Sequence, residues 1–567
     1  MHKSQIRSNS YSIGDFLTVK SKKNLRGDGN HPLATRPVKQ NRSPSEFIGL
    51  PTRLIRAGYV RSRVEYNPSS YLTFWPLSQL GLVKMTDLSC LPENTGLFFN
   101  GEFQNGNSLL TSKNPATGEI LLEVSGASEE TVDRAVTQAW NAQPAWAKTD
   151  IRERVACVRK FIDAIETNAN NLATLDALDT GNPYRGMQID VKISLAVMDL
   201  FAGLAPEIKG ESFPGPGDRI NFSVREPLGV VARIVPFNHP FMFACIKSVA
   251  PLIAGNAVVI KPSEHTPLSA LRIAELAGNL FPPGIFNVLN GGRETGSALA
   301  QHPRVRNVSL VGSVPTGKAV LTDASSTIKS VLLELGGKNP LVICPDVDID
   351  FAVATAVKGM NLTWTAGQSC GSTSRLLVHD SIYKDVVEGV TESFHELTLG
   401  IPSDHQTEMG CLTTKPHFEK VKEYLDIGQS EGAKMTTGGI PEHTPHPNGL
   451  FIRPTLFSDV SPDMKIANEE IFGPILSVLS WSTDNQVIDI ANSVDFGLTA
   501  GILSNDINQA LKMSKEIQAG YVWINNSSDH YPGVPFGGFK DSGLGREECL
   551  EEMLAYTQLK AINIHLR

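Results

Sequence analysis

Along this chain the spacing of apolar residues changes character near Gly96. Residues 1–84 hold neither a helical nor a strand period, and mix basic residues with Ser, Pro and Asn, a composition expected to stay disordered. From Gly96 onward, amphipathic stretches such as 129–140 and 152–173 have the 3.6-residue period of helices. They alternate with short β-branched runs at 230–235, 257–260 and 331–335. Runs apolar on both faces and separated by helices predict parallel sheets covered by helices, an α/β architecture. Ser128 before Val132, and Thr266-Pro267 before Leu268, mark helix starts. No fixed-period repeat is present.

Length and composition narrow this picture. The 567 residues, 41% hydrophobic and 19% charged, suit a multidomain globular protein, and the 48 Gly and 35 Pro follow no G-x-y period, which excludes collagen. The net charge of −8 removes bulk attraction to nucleic acid or anionic membranes, so neither is expected as a partner. Residues 1–84 oppose the trend with 14 Lys and Arg against four Asp and Glu. They contain no apolar signal-peptide core. Their basic, Ser-rich character fits an organelle transit peptide in part, with Asp15 and Asp28 against it, and Met85 stands close to an alternative start. The expected compartment is cytoplasmic, or mitochondrial if this extension targets the chain. Seven cysteines without a C-x-x-C pair argue for a reducing compartment and against a zinc site, so no metal is expected. The apolar stretch at 234–260 is interrupted by Asn238, His239, Lys247 and Asn256 and cannot span a membrane.

Candidate chemistry sits at strand ends. Cys370 lies in Gly367-Gln368-Ser369-Cys370-Gly371-Ser372, where small neighbours leave the sulfur accessible, as a nucleophile requires. Glu334, closing an apolar run before Leu335-Gly336-Gly337-Lys338, projects a carboxylate from a strand end and suits a general base. Asn238, in Pro236-Phe237-Asn238-His239-Pro240, is either a turn residue or an amide donor to an oxyanion. His239, a lone His beside Pro, is left out of the chemistry. Lys261 and Glu264 follow the run at 257–260, where open parallel sheets bind nucleotides. Gly312 and Ser313 open a small-residue turn suited to pyrophosphate. That turn is not a Walker loop, since Ala319 follows Lys318 where Ser or Thr would hold magnesium.

In order, Asn238, Lys261-Pro262-Ser263-Glu264, Gly312-Ser313, Glu334-Leu335-Gly336-Gly337-Lys338, Gly367-Gln368-Ser369-Cys370, Glu470-Ile471-Phe472-Gly473-Pro474 and Pro535-Phe536-Gly537-Gly538-Phe539-Lys540 resemble the aldehyde dehydrogenase superfamily. The resemblance covers some four-fifths of the chain. It implies oxidation of a small-molecule aldehyde with NAD, with Cys370 as nucleophile, Glu334 as general base and Asn238 as oxyanion donor. It places Lys261 and Glu264 on the adenosine ribose, Gly312 and Ser313 at the pyrophosphate, and Glu470 and Phe472 at the nicotinamide. It implies a Rossmann-like coenzyme domain (95–208 and 228–334), an α/β catalytic domain (335–540), a β oligomerisation arm (209–227 and 541–567), and a homodimer or homotetramer. A CoA-acylating relative would lack Glu334.

Two departures bear on the substrate: Thr365 stands where the family often has Asn, and the segment from Glu334 to Cys370 is slightly long. Trp364 and Phe536 are expected in the substrate pocket. Betaine-aldehyde and aminoaldehyde dehydrogenases place a Trp at the position of Trp364, whose indole face suits a quaternary ammonium. Phe536, His239 and Ile246 depart from the rest of that aromatic cage, which leaves a tunnel for neutral aldehydes as the other reading.

Overall fold

The computed structural model describes residues 88–566, so the expectations for 1–84 lie outside the described residues. The α/β architecture expected from the apolar pattern is the one observed. An eight-stranded sheet is built on five parallel strands in the order Phe286–Val288, Ala257–Lys261, Val230–Ile234, Val305–Val311 and Ser330–Glu334. Val230–Ile234 and Ala257–Lys261 are buried at every position, which explains why their sequences are continuously apolar. Helices Pro240–Ile253 and Leu268–Ala277 pack against this layer, and every residue of the first is buried.

A seven-stranded sheet forms the second layer system, in the order Lys434–Gly439, Arg453–Ser458, Ile475–Trp481, Arg375–His379, Pro340–Ile343, Thr499–Leu503 and Tyr521–Ile524. All its pairings are parallel except the first. The two sheets are joined at Glu334: Ser330–Glu334 ends the first, and after Leu335-Gly336-Gly337-Lys338-Asn339 the chain enters Pro340–Ile343 of the second. A small antiparallel sheet stands apart, pairing Arg219–Pro227 with Thr557–His565 over nine registered residues and with Ser212–Phe213. Its residues Phe213, Ile220, Leu559 and Ile564 are exposed.

Several local expectations need correction. The stretch 152–173 is two helices, Ile151–Thr167 and Ala169–Thr180, because Asn168 ends the first by turning its side-chain amide back onto the Ala164 carbonyl at 2.8 Å. The helix expected at 129–140 continues to Lys148 through Pro144, while Ser128 caps its start by accepting from the Thr131 N–H. Thr266 does not cap the helix Leu268–Ala277. Its hydroxyl donates instead to the Phe237 carbonyl at 3.3 Å, tying two strand-end loops together. The segment 541–567 is not arm throughout. Gly543–Leu544 adds antiparallel to Ser330–Glu334, and Met553 and Tyr556 enter the first core, where Tyr556 meets the buried Arg233. Only Thr557–His565 belongs to the small sheet. Among the described residues, no helix is long and apolar enough to cross a membrane, and no cluster of His, Cys, Asp and Glu is placed to hold a metal ion.

Candidate active site

The carboxyl ends of the parallel strands of the first sheet open into a cavity of about 670 Å³. This is where loops leave an open α/β sheet and where such sheets take nucleotides. Its lining includes Lys261, Ser263 and Glu264, Gly312, Ser313 and Thr316, and Asn238, Glu334, Cys370, Glu470 and Phe472. Nine residues named from the sequence as catalytic or coenzyme-binding therefore share one cleft. Trp364 and Phe536 do not line it. Phe536 packs with Leu498, Tyr521 and Trp523 in a cluster against which Cys370 rests, and Trp364 meets His239 edge to face at 5.0 Å.

Cys370 is held by its backbone. The chain reaches it through a short helix, Leu362–Thr365, bounded by two left-handed residues, Asn361 and Ala366, with φ of 54° and 52°. Gly367 continues at φ 77°, and a Cβ there would meet the Gly473 carbonyl at 2.5 Å, so this turn needs glycine twice over. The side-chain amide of Asn339 donates to the carbonyls of Cys370 at 2.6 Å and Ser372 at 2.9 Å. Asn238 approaches from the first sheet. Its amide nitrogen donates to the Gln368 carbonyl at 2.9 Å, and its own carbonyl accepts from Asn182 at 2.8 Å. That bond uses one N–H of the Asn238 amide and leaves the other, in the cleft that Cys370 also lines.

Glu334 is buried, and neither of its carboxyl oxygens completes a hydrogen bond to protein. Burial pushes it up to about 8. The Glu547 carboxylate adds to that, while the adjoining Cys370 thiol and the Lys247 ammonium pull it back only in part. Burial, with the neighbouring Glu334 carboxyl, also pushes the Cys370 thiol well above its ordinary range. At pH 7 a carboxyl titrating near 8 is about one-tenth ionised. If its carboxylate is the working base, steady-state turnover climbs with pH to about 8 and then levels. A pH–rate profile flat from about pH 6 to about pH 9 would place the base elsewhere.

The coenzyme side is equally specific. Lys261 is buried, donates to the Pro262 carbonyl at 2.8 Å and faces Glu264 at 3.5 Å. Burial works to raise Glu264, but the Lys261 ammonium, a backbone N–H and the neighbouring His265 together outweigh it and hold the carboxyl below its ordinary value. Ser313 caps the helix Val314–Ala324 by accepting from the Thr316 N–H, so the positive end of that helix stands at the cleft, a setting that favours phosphate oxygens. Glu470 accepts from the Gly337 N–H at 3.0 Å. A Cβ on Gly336 would strike the Glu470 carboxylate, so the two glycines after Glu334 make room for that contact. A cavity of this size lies within the range of cofactor sites, roughly 300–1,000 Å³. Paired ribose-type and phosphate-type groups in its lining fit a dinucleotide.

Sequence reasoning missed the groups that hold this arrangement. His417 reaches the Phe472 carbonyl with Nε2 at 2.6 Å and Lys420 donates to the Glu470 carbonyl at 2.9 Å, so one helix, Lys415–Ser430, pins the Glu470–Phe472 turn in which Phe472 takes a φ of 61°. Burial pushes the His417 imidazole down to about 4, so it stays neutral in that role. His239, set aside in the sequence, shares the carboxylate of buried Asp190 with Trp364: His239 Nδ1 lies 2.8 Å from one oxygen, and the indole N–H donates to the other at 2.7 Å. No local pattern announces these pairings.

Residues 103–562 match the aldehyde dehydrogenase family, most of the chain, and the chain belongs to that family. An aldehyde dehydrogenase of Talaromyces stipitatus, tropH, is 46% identical over 486 residues, covering 84% of this chain and 94% of that protein. A hydroxyisobutyraldehyde dehydrogenase of Mycolicibacterium austroafricanum is 40% identical over 478 residues, covering 83% and 94%. Among solved structures, the betaine aldehyde dehydrogenase of Staphylococcus aureus, crystallised with NAD+, superposes with a TM-score of 0.82 at 33% identity, covering 84% of this chain and 96% of that one.

Proposed function

We propose that this chain oxidises an aldehyde to the carboxylic acid with NAD, with Cys370 as nucleophile, Glu334 as the base for hydrolysis and Asn238 as oxyanion donor. The observation that carries the reading is that Cys370, Asn238 and the buried Glu334 carboxyl line the same cleft as Lys261, Glu264, Gly312 and Ser313. Bound NAD+ supplies the acceptor for the hydride that the substrate carbon loses. Once the Cys370 thiol has given its proton to water, the thiolate attacks the carbonyl carbon, and the oxygen that becomes negative is met by an Asn238 side-chain N–H and the Cys370 backbone N–H. After oxidation the acyl group is a thioester on Cys370. Glu334, whose carboxyl adjoins the Cys370 thiol, takes a proton from the water that cleaves it. The presence of Glu334 favours hydrolysis over transfer to CoA.

Lys261 and Glu264 hold the ribose hydroxyls, Gly312, Ser313 and the helix behind them the pyrophosphate, and Glu470 and Phe472 the nicotinamide end. An ionised Glu264 accepts from a ribose hydroxyl and repels a 2′-phosphate. We therefore expect kcat/KM with NAD to exceed that with NADP by at least about tenfold, ~1.4 kcal/mol, and Glu264→Ala to narrow the gap. A wild-type enzyme preferring NADP contradicts this assignment. The exposed apolar residues of the small antiparallel sheet support assembly of two or four copies through that arm.

The direct test is aldehyde-dependent NADH formation with one carboxylic acid released per NADH. NADH without acid, or acid only with CoA present, contradicts the hydrolytic reading. A cationic aldehyde is the second reading for substrate, carried by Trp364.

A further inference from the structure

The wall of Cys370 remote from the coenzyme cleft is aromatic, made by Tyr521, Trp523 and Phe536, and within it stand two polar groups that the chemistry above does not use. His530 stacks on Tyr521 at 5.9 Å and packs on Phe536 at 4.6 Å between ring centres. Its Nδ1 lies 3.2 Å from a Glu548 carboxylate oxygen. The residue after the nucleophile is Gly371. The point where a Cβ on Gly371 would stand is 3.9 Å from His530 Nε2 and 3.9 Å from Ser369 Oγ. An imidazole nitrogen and a hydroxyl thus converge on one spot beside Cys370, which glycine leaves clear.

The hydrogen-bonding roles follow from the partners. With Nδ1 turned to the Glu548 carboxylate, Nε2 is the ring nitrogen left facing the spot beside Gly371. His530 Nε2 and the Ser369 hydroxyl, which can donate or accept, are the two polar groups that face it. A substrate hydroxyl entering between them has a partner on either side. The loop that carries His530 is braced: the Trp523 indole donates to the Asp529 carbonyl at 2.7 Å, Lys358 pairs with Asp529 at 2.7 Å, and Gly533 donates to the Glu548 carbonyl at 2.9 Å. Glu548 itself is held at φ 61°, a left-handed conformation uncommon outside glycine, and such positions cluster at ligand sites. An apolar wall with a few convergent polar groups is the usual form of a specificity pocket.

We propose that His530 and Ser369 form a hydroxyl subsite beside Cys370, and that the substrate is a hydroxyaldehyde whose hydroxyl lies one or two carbons from the carbonyl. This rests on Cys370 being the nucleophile. Its test compares isosteric pairs, 2-hydroxypropanal with 2-methylpropanal and 3-hydroxybutanal with 3-methylbutanal, as the ratio of kcat/KM within each protein, so that any loss common to both members cancels. The wild-type enzyme is expected to favour at least one hydroxylated member by about tenfold or more, because a site built for a hydroxyl leaves polar groups unpaired around a methyl. His530→Phe, which keeps the ring, brings the ratio to within about twofold, His530→Gln keeps part of it through an amide acceptor, and Ser369→Ala lowers it independently. A wild-type ratio near one for both pairs, a ratio unmoved in both His530→Phe and Ser369→Ala, or betaine aldehyde outcompeting every hydroxylated substrate overturns the proposal while leaving the dehydrogenase reading intact. Failure to form NADH from any of these aldehydes overturns that reading as well.

Discussion

Replacing Cys370 by serine lowers aldehyde-dependent NADH formation at least about a thousandfold, ~4 kcal/mol on the barrier, while NAD still binds. The surroundings already work against ionisation: burial and the Glu334 carboxyl push the thiol up. A hydroxyl, intrinsically far less acidic, loses the little nucleophilic form that sulfur retains. The backbone has no reason to move, because Asn339 grips the Cys370 and Ser372 carbonyls and Gln368 is fixed by Asn238 and by the Thr413 N–H. Fluorescence titration with NAD should therefore give a Kd within about threefold of wild type, a change of less than ~0.7 kcal/mol. Turnover within tenfold of wild type would remove Cys370 from the mechanism. Loss of NAD binding would show that the substitution disturbs the cleft rather than the chemistry.

What the sequence disclosed was chemistry written locally. Glu334 closes an apolar run before two glycines, Cys370 sits among small residues, and Lys261 and Glu264 follow a buried strand. Each is a side chain at a strand end or turn, and the parallel sheet then carries these ends to one edge. The missed groups act over distance in the chain. Asp190 meets Trp364 across 174 residues, Asn339 meets Cys370 across 31, and His417 meets Phe472 across 55. Nothing in the composition around Asp190, inside an ordinary helix, distinguishes it from a solvated carboxylate until the fold buries it against His239. His239, set aside from the chemistry, is a buried packing residue beside Pro240, and only the Asp190 carboxylate shows that its ring is oriented. The arm boundary failed for a similar reason, since Gly543–Leu544 is too short to read as a strand and is recruited by the edge of Ser330–Glu334.

Glu334→Gln separates the two halves of the cycle. The amide nearly matches the carboxyl in shape, so acylation of Cys370 proceeds and rapid mixing shows a burst of about one NADH per active site. The second half then stalls, because glutamine cannot take a proton from water, and steady-state turnover falls by about two to four orders of magnitude, the usual worth of general-base catalysis. Hydroxylamine, a nucleophile that needs no base, should release the trapped acyl group as a hydroxamate. The wild-type pH dependence should vanish with the carboxyl: turnover that rises to about pH 8 in the native enzyme reports Glu334 losing its proton, and the variant has none to lose. The contact with Cys370 makes the rival outcome concrete. If Glu334 also takes the thiol proton, the burst itself slows or disappears, and the carboxylate belongs to the first step as well as the second.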